Sequence, residues 1–222
     1  MGGAKLGPLL RDAGRSAPAN TALVEIGCWL GAGTAQLAIG IRERQRQDVR
    51  LHCYDRWQAS KSEVEKAAKK GWRLKVGEDT LPRTRAALAP FEIPINFHKG
   101  DLRDAAWSDG PISVYVDDAS KIPILFCHAL EIFAPHWIAG ETLVFLMDFD
   151  FWRKSGWSDY MCQKRFIEAH ADAFERTNSD HAVFRYTKKA DFTAWIESER
   201  FGARFAAPIR TIARRLQRLG RS

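Results

Sequence analysis

The chain has 222 residues, 45% of them apolar and 27% charged, which suffices for one sizeable core. No apolar run approaches the roughly 18 residues of a membrane span, and no signal-peptide core stands near the start, so a cytoplasmic protein is expected. The net charge of +7 permits an anionic partner. Four scattered cysteines, Cys28, Cys53, Cys127 and Cys162, exclude both CxxC metal spacing and a disulfide scaffold, and read as free thiols.

In chain order, residues 5–13 read as a short amphipathic helix followed by a Ser/Pro/Asn loop. Residues 22–26 form an apolar run interrupted by Glu25 and read as a strand. Gly27, Gly31 and Gly33 follow, and an apolar pattern of helical spacing resumes over 34–45. A strand, a glycine-rich turn and a helix let the backbone fold sharply and come close to a ligand. The same layout occurs where nothing binds, so the turn needs support from elsewhere in the chain. A second strand over 49–55 supplies it by ending in Asp55. That acid lies 22 residues beyond Gly33, near the roughly 20-residue spacing of a ribose-binding carboxylate in a nucleotide-binding βαβ unit.

Residues 58–78 are polar and lysine-rich, lie beside Trp57 and contain Trp72. They break the alternation and read either as a lid or as a decorated surface loop. A helix over 80–88 and a strand over 93–98 follow, the latter leading into Gly100 and Asp101. The strand at 112–117 ends in Asp117 with Asp118 beside it. The periodicity of 121–133 predicts a core-facing helix. The most apolar strand, 142–147, runs into Asp148 and Asp150. A helix over 158–173 and a hairpin of 174–176 with 182–187 complete the pattern. Strands alternating with helices predict an α/β fold with a doubly wound, mostly parallel sheet and a C-terminal antiparallel hairpin. Its ligand site belongs outside the carboxyl ends of the strands, where acids and glycines recur. Any one of these acids can equally be a helix cap or turn former; their recurrence along one edge is the signal.

The segments Val24–Thr34, Tyr54–Trp57, Gly100–Asp101, Val116–Asp118 and Leu146–Asp150, in this order and spacing, resemble the class I S-adenosylmethionine-dependent methyltransferases. More narrowly they resemble the small O-methyltransferases of catechol and macrocin type. The resemblance covers about residues 20–188 and implies a Rossmann-like methyltransferase sheet, with S-adenosylmethionine as cofactor. It implies that Gly27 and the turn to Gly31 admit the amino-acid part of the cofactor, that Glu25 holds the site's hydrogen bonds or the cofactor ammonium, and that Asp55 accepts the ribose hydroxyls. Asp101 would accept from the adenine amino group, Trp57 or Leu102 would pack on the ring, and Asp117 would face the sulfonium. Some relatives also bind Mg²⁺ through acids after strands four and five, which here would be Asp117, Asp148 and Asp150. Where relatives carry a histidine base after the fourth strand, this chain offers Asp118 and Lys121, so Asp117, Asp118 and Lys121 are the catalytic candidates. The six histidines read as structural rather than catalytic.

Residues 191–222 lie beyond that pattern. Phe201, Phe205, Ile209, Ile212, Leu216 and Leu219 recur at helical spacing, and the stretch from Arg200 to Ser222 has seven arginines and no acid. Such a basic amphipathic tail suits peripheral membrane contact, packing on its own domain, or a homodimer. The leading functional expectation is O-methylation of a hydroxyl on a small molecule, sugar or glycoconjugate. The alternatives are an RNA methyltransferase, prompted by the positive charge although no RNA-binding module is recognisable, and a non-catalytic protein binding a partner through its tail.

Overall fold

The computed structural model describes residues 6–44, 48–155 and 158–202. One sheet contains β1 (Ala22–Ile26), β2 (Arg50–Asp55), β3 (Ile95–Lys99), β4 (Ile112–Asp117), β5 (Leu143–Leu146), β6 (Phe174–Arg176) and β7 (Val183–Tyr186). The strand order is β3-β2-β1-β4-β5-β7-β6. The first five strands are parallel, and β7 runs antiparallel to both β5 and β6. From β1 the chain steps outward to β3, then crosses back to β4 on the other side. That reversal opens a crevice at the carboxyl ends of β1 and β4.

Helices cover both faces, so the strands alternate their side chains between two cores. On one face α1 (Leu6–Ser16) and α2 (Ala32–Glu43) bury Leu10 and Leu37 against Leu23, Leu51, Val114 and Val116. The two helices approach closely at Gly40, where an added Cβ would run into the Arg11 carbonyl. On the other face α5 (Pro123–Phe133) packs Phe126, Leu130 and Phe133 against Val24, Ile26 and Tyr115. Three further helices, α3 (Lys61–Ala68), α4 (Leu81–Leu88) and α6 (Trp152–Ser155), lie in the connections. A further helix, α7 (Cys162–Ala169), adds Phe166 to the second core.

The expected doubly wound sheet and terminal hairpin are therefore present, with local differences. The third strand starts at Ile95 rather than residue 93, since Pro94 has no N–H to give a ladder. The helix expected over 158–173 is broken into a 3₁₀ turn, α7 and a second 3₁₀ turn. His170 ends α7, its backbone N–H and its ring Nδ1 both meeting the Phe166 carbonyl, at 3.2 and 2.9 Å. The core also extends past residue 190. Residues 193–202 are helical, Phe192 and Ile196 are buried in the second core, and Arg200 pairs with Glu131. Most of the expected basic tail, residues 203–222, lies outside the described residues. No described helix is long and apolar enough to cross a membrane. All four cysteines are free and buried.

Candidate active site

The turn after β1 is held against two neighbouring strand ends. Gly27 donates to the Tyr54 carbonyl at 2.8 Å, and Asp118 donates its N–H to the Ile26 carbonyl at 2.9 Å. Gly27 has φ 87°, and a Cβ there would lie 2.7 Å from the Asp118 carbonyl. Only glycine supports both that conformation and that approach. Gly31, at φ 79°, caps α2.

Glu25 lies behind this turn. Its carboxylate accepts from Thr34 Oγ1 at 2.5 Å and rests against Gly33, where a Cβ would collide with Oε1. Burial, partly offset by the Thr34 hydroxyl, pushes the carboxyl up to about 7. Of the two expected roles of Glu25, the geometry favours holding the hydrogen bonds of the site: it ties strand to helix and is not on the cleft wall, where it would meet the cofactor ammonium.

Asp55 is half-buried on the cleft wall and accepts from the Trp29 N–H at 2.8 Å and the Trp57 N–H at 2.6 Å. Both tryptophans have positive φ, 45° and 44°, so one carboxylate braces two left-handed turns. Burial raises its pKa, outweighing both hydrogen bonds. Trp57 does not reach the cleft. The residue is 1% exposed, its Nε1 donates to the Trp29 carbonyl at 2.9 Å, and its ring packs edge-on to Phe97. Of the two tryptophans braced by Asp55, Trp29 is the one that lines the cleft, and its buried Nε1 has no hydrogen-bond partner. Its position between Gly27 and Gly31 was the available signal, since a bulky residue inside a glycine turn must face somewhere.

Asp101 also lines the cleft, following Gly100, whose N–H donates to the Asp55 carbonyl at 3.0 Å. Arg103 grips its carboxylate from Nε at 2.9 Å and from Nη2 at 2.7 Å, holding it well below the usual carboxylate range. Leu102 and Ala105 continue that wall.

At the end of β4 the two adjacent acids separate. Asp117 is fully buried and accepts from the Ala119 N–H at 3.1 Å, the Ser120 N–H at 2.9 Å and the Ser120 hydroxyl. It closes the turn into α5 and does not face the cleft, contrary to the role expected of it. Asp118 does face the cleft, and burial pushes its carboxyl up to about 6 against the opposing charge of Lys121. Lys121 pairs with Asp148 and stands 3.8 Å from Asp118, with its ammonium 5.6 Å from the Phe151 ring centre. Lys121 and Asp148 both line the cleft.

The metal set Asp117, Asp148 and Asp150 is not assembled. Asp117 spends its oxygens on the turn, Asp148 is taken by Lys121, and Asp150 is exposed and paired with Arg153 at 2.9 Å. Among the described residues, the acids and thiols that do gather are Glu25, Cys28 and Cys53, within 4.8 Å of one another behind the glycine turn. That buried thiol-bearing set is wrong for a hard ion such as Mg²⁺. The residues present therefore do not fit the expected magnesium.

The cleft encloses about 1640 Å³, ample for a nucleotide-sized cofactor and a second molecule. Residues 58–78 form one of its walls. Ser60 and Glu63 make a reciprocal cap that starts α3, and Lys66 and Lys69 face the cleft. The opposite rim is apolar, with Ile122, Ile124 and Phe151. Two histidines line the space: His98, stacked on Tyr54 at 4.2 Å, and His181 from the β6–β7 hairpin. Hairpin length and sequence carry no sign that His181 would reach it.

No family model and no curated protein matches the chain. Solved structures do. The O-methyltransferase NovP superposes with a TM-score of 0.60 at 17% identity, covering 84% of this chain and 81% of its own. CalS11, a calicheamicin methyltransferase, superposes with a TM-score of 0.56 at 13% identity, covering 83% of this chain and 78% of its own. The chain has the Rossmann-like methyltransferase fold. At these identities the likeness is one of fold, and within a methyltransferase fold the crevice beside β1 and β4 is the position of the cleft built above.

Proposed function

We propose that the protein is an S-adenosylmethionine-dependent O-methyltransferase acting on a hydroxyl of a small molecule, such as a sugar or glycoconjugate. The observation that carries this reading is one cleft at the strand ends, whose lining can be grouped into two arms by strand of origin, the first from the ends of β1, β2 and β3 and the second from the ends of β4 and β5. One arm is lined by Gly27, Trp29, Asp55 and Asp101, and the other by Asp118, Lys121, Asp148 and the apolar rim.

The first arm suits the cofactor. Two of the roughly four acceptor positions of the Asp55 carboxylate hold backbone N–H groups, which leaves two for ribose hydroxyls. Asp101 is bound to an exposed arginine, and an exposed ion pair yields cheaply to a ligand amino group. Trp29 brings an indole ring and an unsatisfied N–H to the same wall. When bound, S-adenosylmethionine supplies an electrophilic methyl group together with its leaving group.

The protein must then orient the acceptor and take its proton. Asp118 is suited to that step. It is the cleft-facing acid at the end of β4, and its raised pKa of about 6 makes it a stronger base than an ordinary aspartate while leaving it ionised at neutral pH. Ile122, Ile124 and Phe151 offer the acceptor an apolar seat beside it. NovP and CalS11 are both O-methyltransferases, and CalS11 is a TDP-rhamnose 3'-O-methyltransferase, which supports a sugar-like acceptor here.

The test is methyl transfer to a panel of sugar-nucleotide and phenolic hydroxyls. Asp118→Asn should lower turnover by about 10²-fold or more, the scale of general-base catalysis, with cofactor binding retained. Transfer that is undiminished in Asp118→Asn would overturn the assignment of the base, and absence of transfer to any hydroxyl would overturn the reaction.

A further inference from the structure

We propose that the Lys121 ammonium is the resident cation of the cleft floor, holding the Asp118 and Asp148 carboxylates together and excluding a divalent ion from them. The proposal rests on the arrangement of this floor rather than on the methyl-transfer reading.

Asp148 is 8% exposed, so its carboxylate has lost most of its water and needs a positive partner. Lys121 provides one by direct ion pairing, and Asp118 Oδ1 lies 3.8 Å from the same nitrogen. The face of the Phe151 ring is 5.6 Å away and adds a third attractive surface around the ammonium. The lysine starts from a fixed point. Its N–H donates to the Ala119 carbonyl at 3.1 Å, and its own carbonyl accepts from Cys162 Sγ at 3.6 Å.

The oxygens that could complete an octahedral or larger shell are turned elsewhere. Asp117 accepts from Ala119 and Ser120 beneath the floor, and Asp150 pairs with Arg153 at the surface. A divalent ion at Asp148 would therefore find two acids at most and a cation already between them. An ion placed there would stand against the ammonium, and like charges at contact distance repel, most strongly away from bulk water. The cation here is a covalent part of the chain, so one of the two carboxylate charges is already neutralised without an ion from solution. Lys121 is on this account a positioning residue, one that sets where the Asp118 carboxylate stands.

The test uses Mn²⁺ alone, titrated into the full chain and followed by the electron paramagnetic resonance signal of the free ion. No methyl donor is present, so the outcome is independent of whether the protein binds S-adenosylmethionine. The native chain should show no saturable site. Lys121→Ala should gain one, with affinity at least about tenfold above any residual native binding, as expected for removing one contacting like charge. Adding Asp148→Asn to that variant should abolish the gain. If Lys121→Ala does not fold, Lys121→Gln keeps most of the stem and makes the same comparison. Saturable Mn²⁺ binding by the native chain that is lost in Asp148→Asn would overturn the proposal. So would a folded Lys121 variant that gains no site.

Discussion

Glu25 is an acid whose enclosure has a measurable cost. Its carboxyl sits between Thr34 and Gly33, and its pKa of about 7 stands above the ordinary 4.5. Between those values the folded chain holds a proton that the unfolded chain has released, so stability falls as pH rises from about 4.5 to 7. The full contribution is on the order of 3 kcal/mol, lost by neutral pH. Glu25→Gln should flatten that part of the pH dependence of urea unfolding, and an unchanged slope would show that the carboxyl is ionised within the fold. At this scale the sequence was a partial guide. It placed acids at the ends of β1, β2 and β4, because a strand followed by an acid is readable. Which acid faces the cleft was not readable. Asp117 and Asp118 are neighbours, and the choice between them was made by Ser120, whose backbone and hydroxyl capture the first and leave the second in the cleft. Trp29 and Trp57 divide in the same way. Both are tied to Asp55 through the backbone, yet one ring lines the cleft and the other fills the core.

At the scale of elements, the strand–turn–helix unit is the most tightly specified part of the chain. Gly33 stands in the first turn of α2 directly over the Glu25 carboxylate. Gly33→Ala would favour the helix by intrinsic propensity, but its methyl has no room beside a fixed, buried carboxyl. The expected net effect is destabilisation of about 2 kcal/mol, within the usual range for overpacking, seen as a lower midpoint in thermal unfolding. A midpoint equal to or above that of the native chain would show that Glu25 can move aside. The strands of this unit were legible because their two-residue alternation matches the two cores. The break near His170 was not, because the apolar pattern runs through 158–173 while a ring nitrogen competes for the Phe166 carbonyl. The insertion over 58–78 was visible as an interruption, and its reciprocal cap and cleft-facing lysines give that interruption a defined place on the wall.

For the whole molecule, the order β3-β2-β1-β4-β5-β7-β6 brings residues far apart in sequence to one sheet edge. The alternation of elements implied a parallel sheet, and general rules of doubly wound folds put the ligand at its carboxyl edge. What composition and spacing could not convey was how the edge is partitioned. Arg103 already holds Asp101, Lys121 already holds Asp148, and a stretch beyond residue 190 packs Phe192 and Ile196 into the core. The first is a local pair two residues apart and the others are tertiary contacts, all between residues whose types are common and whose spacings are unremarkable. The central claim is that the crevice at β1 and β4 is a cofactor pocket in which Asp55 takes the ribose. Calorimetric titration with S-adenosylhomocysteine tests it most directly. The native chain should bind saturably, and Asp55→Ala, checked for folding by circular dichroism, should weaken binding by about 10-fold or more, the loss of a charge-assisted hydrogen-bond acceptor. No binding by the native chain, or equal binding by a folded Asp55→Ala variant, would contradict the account.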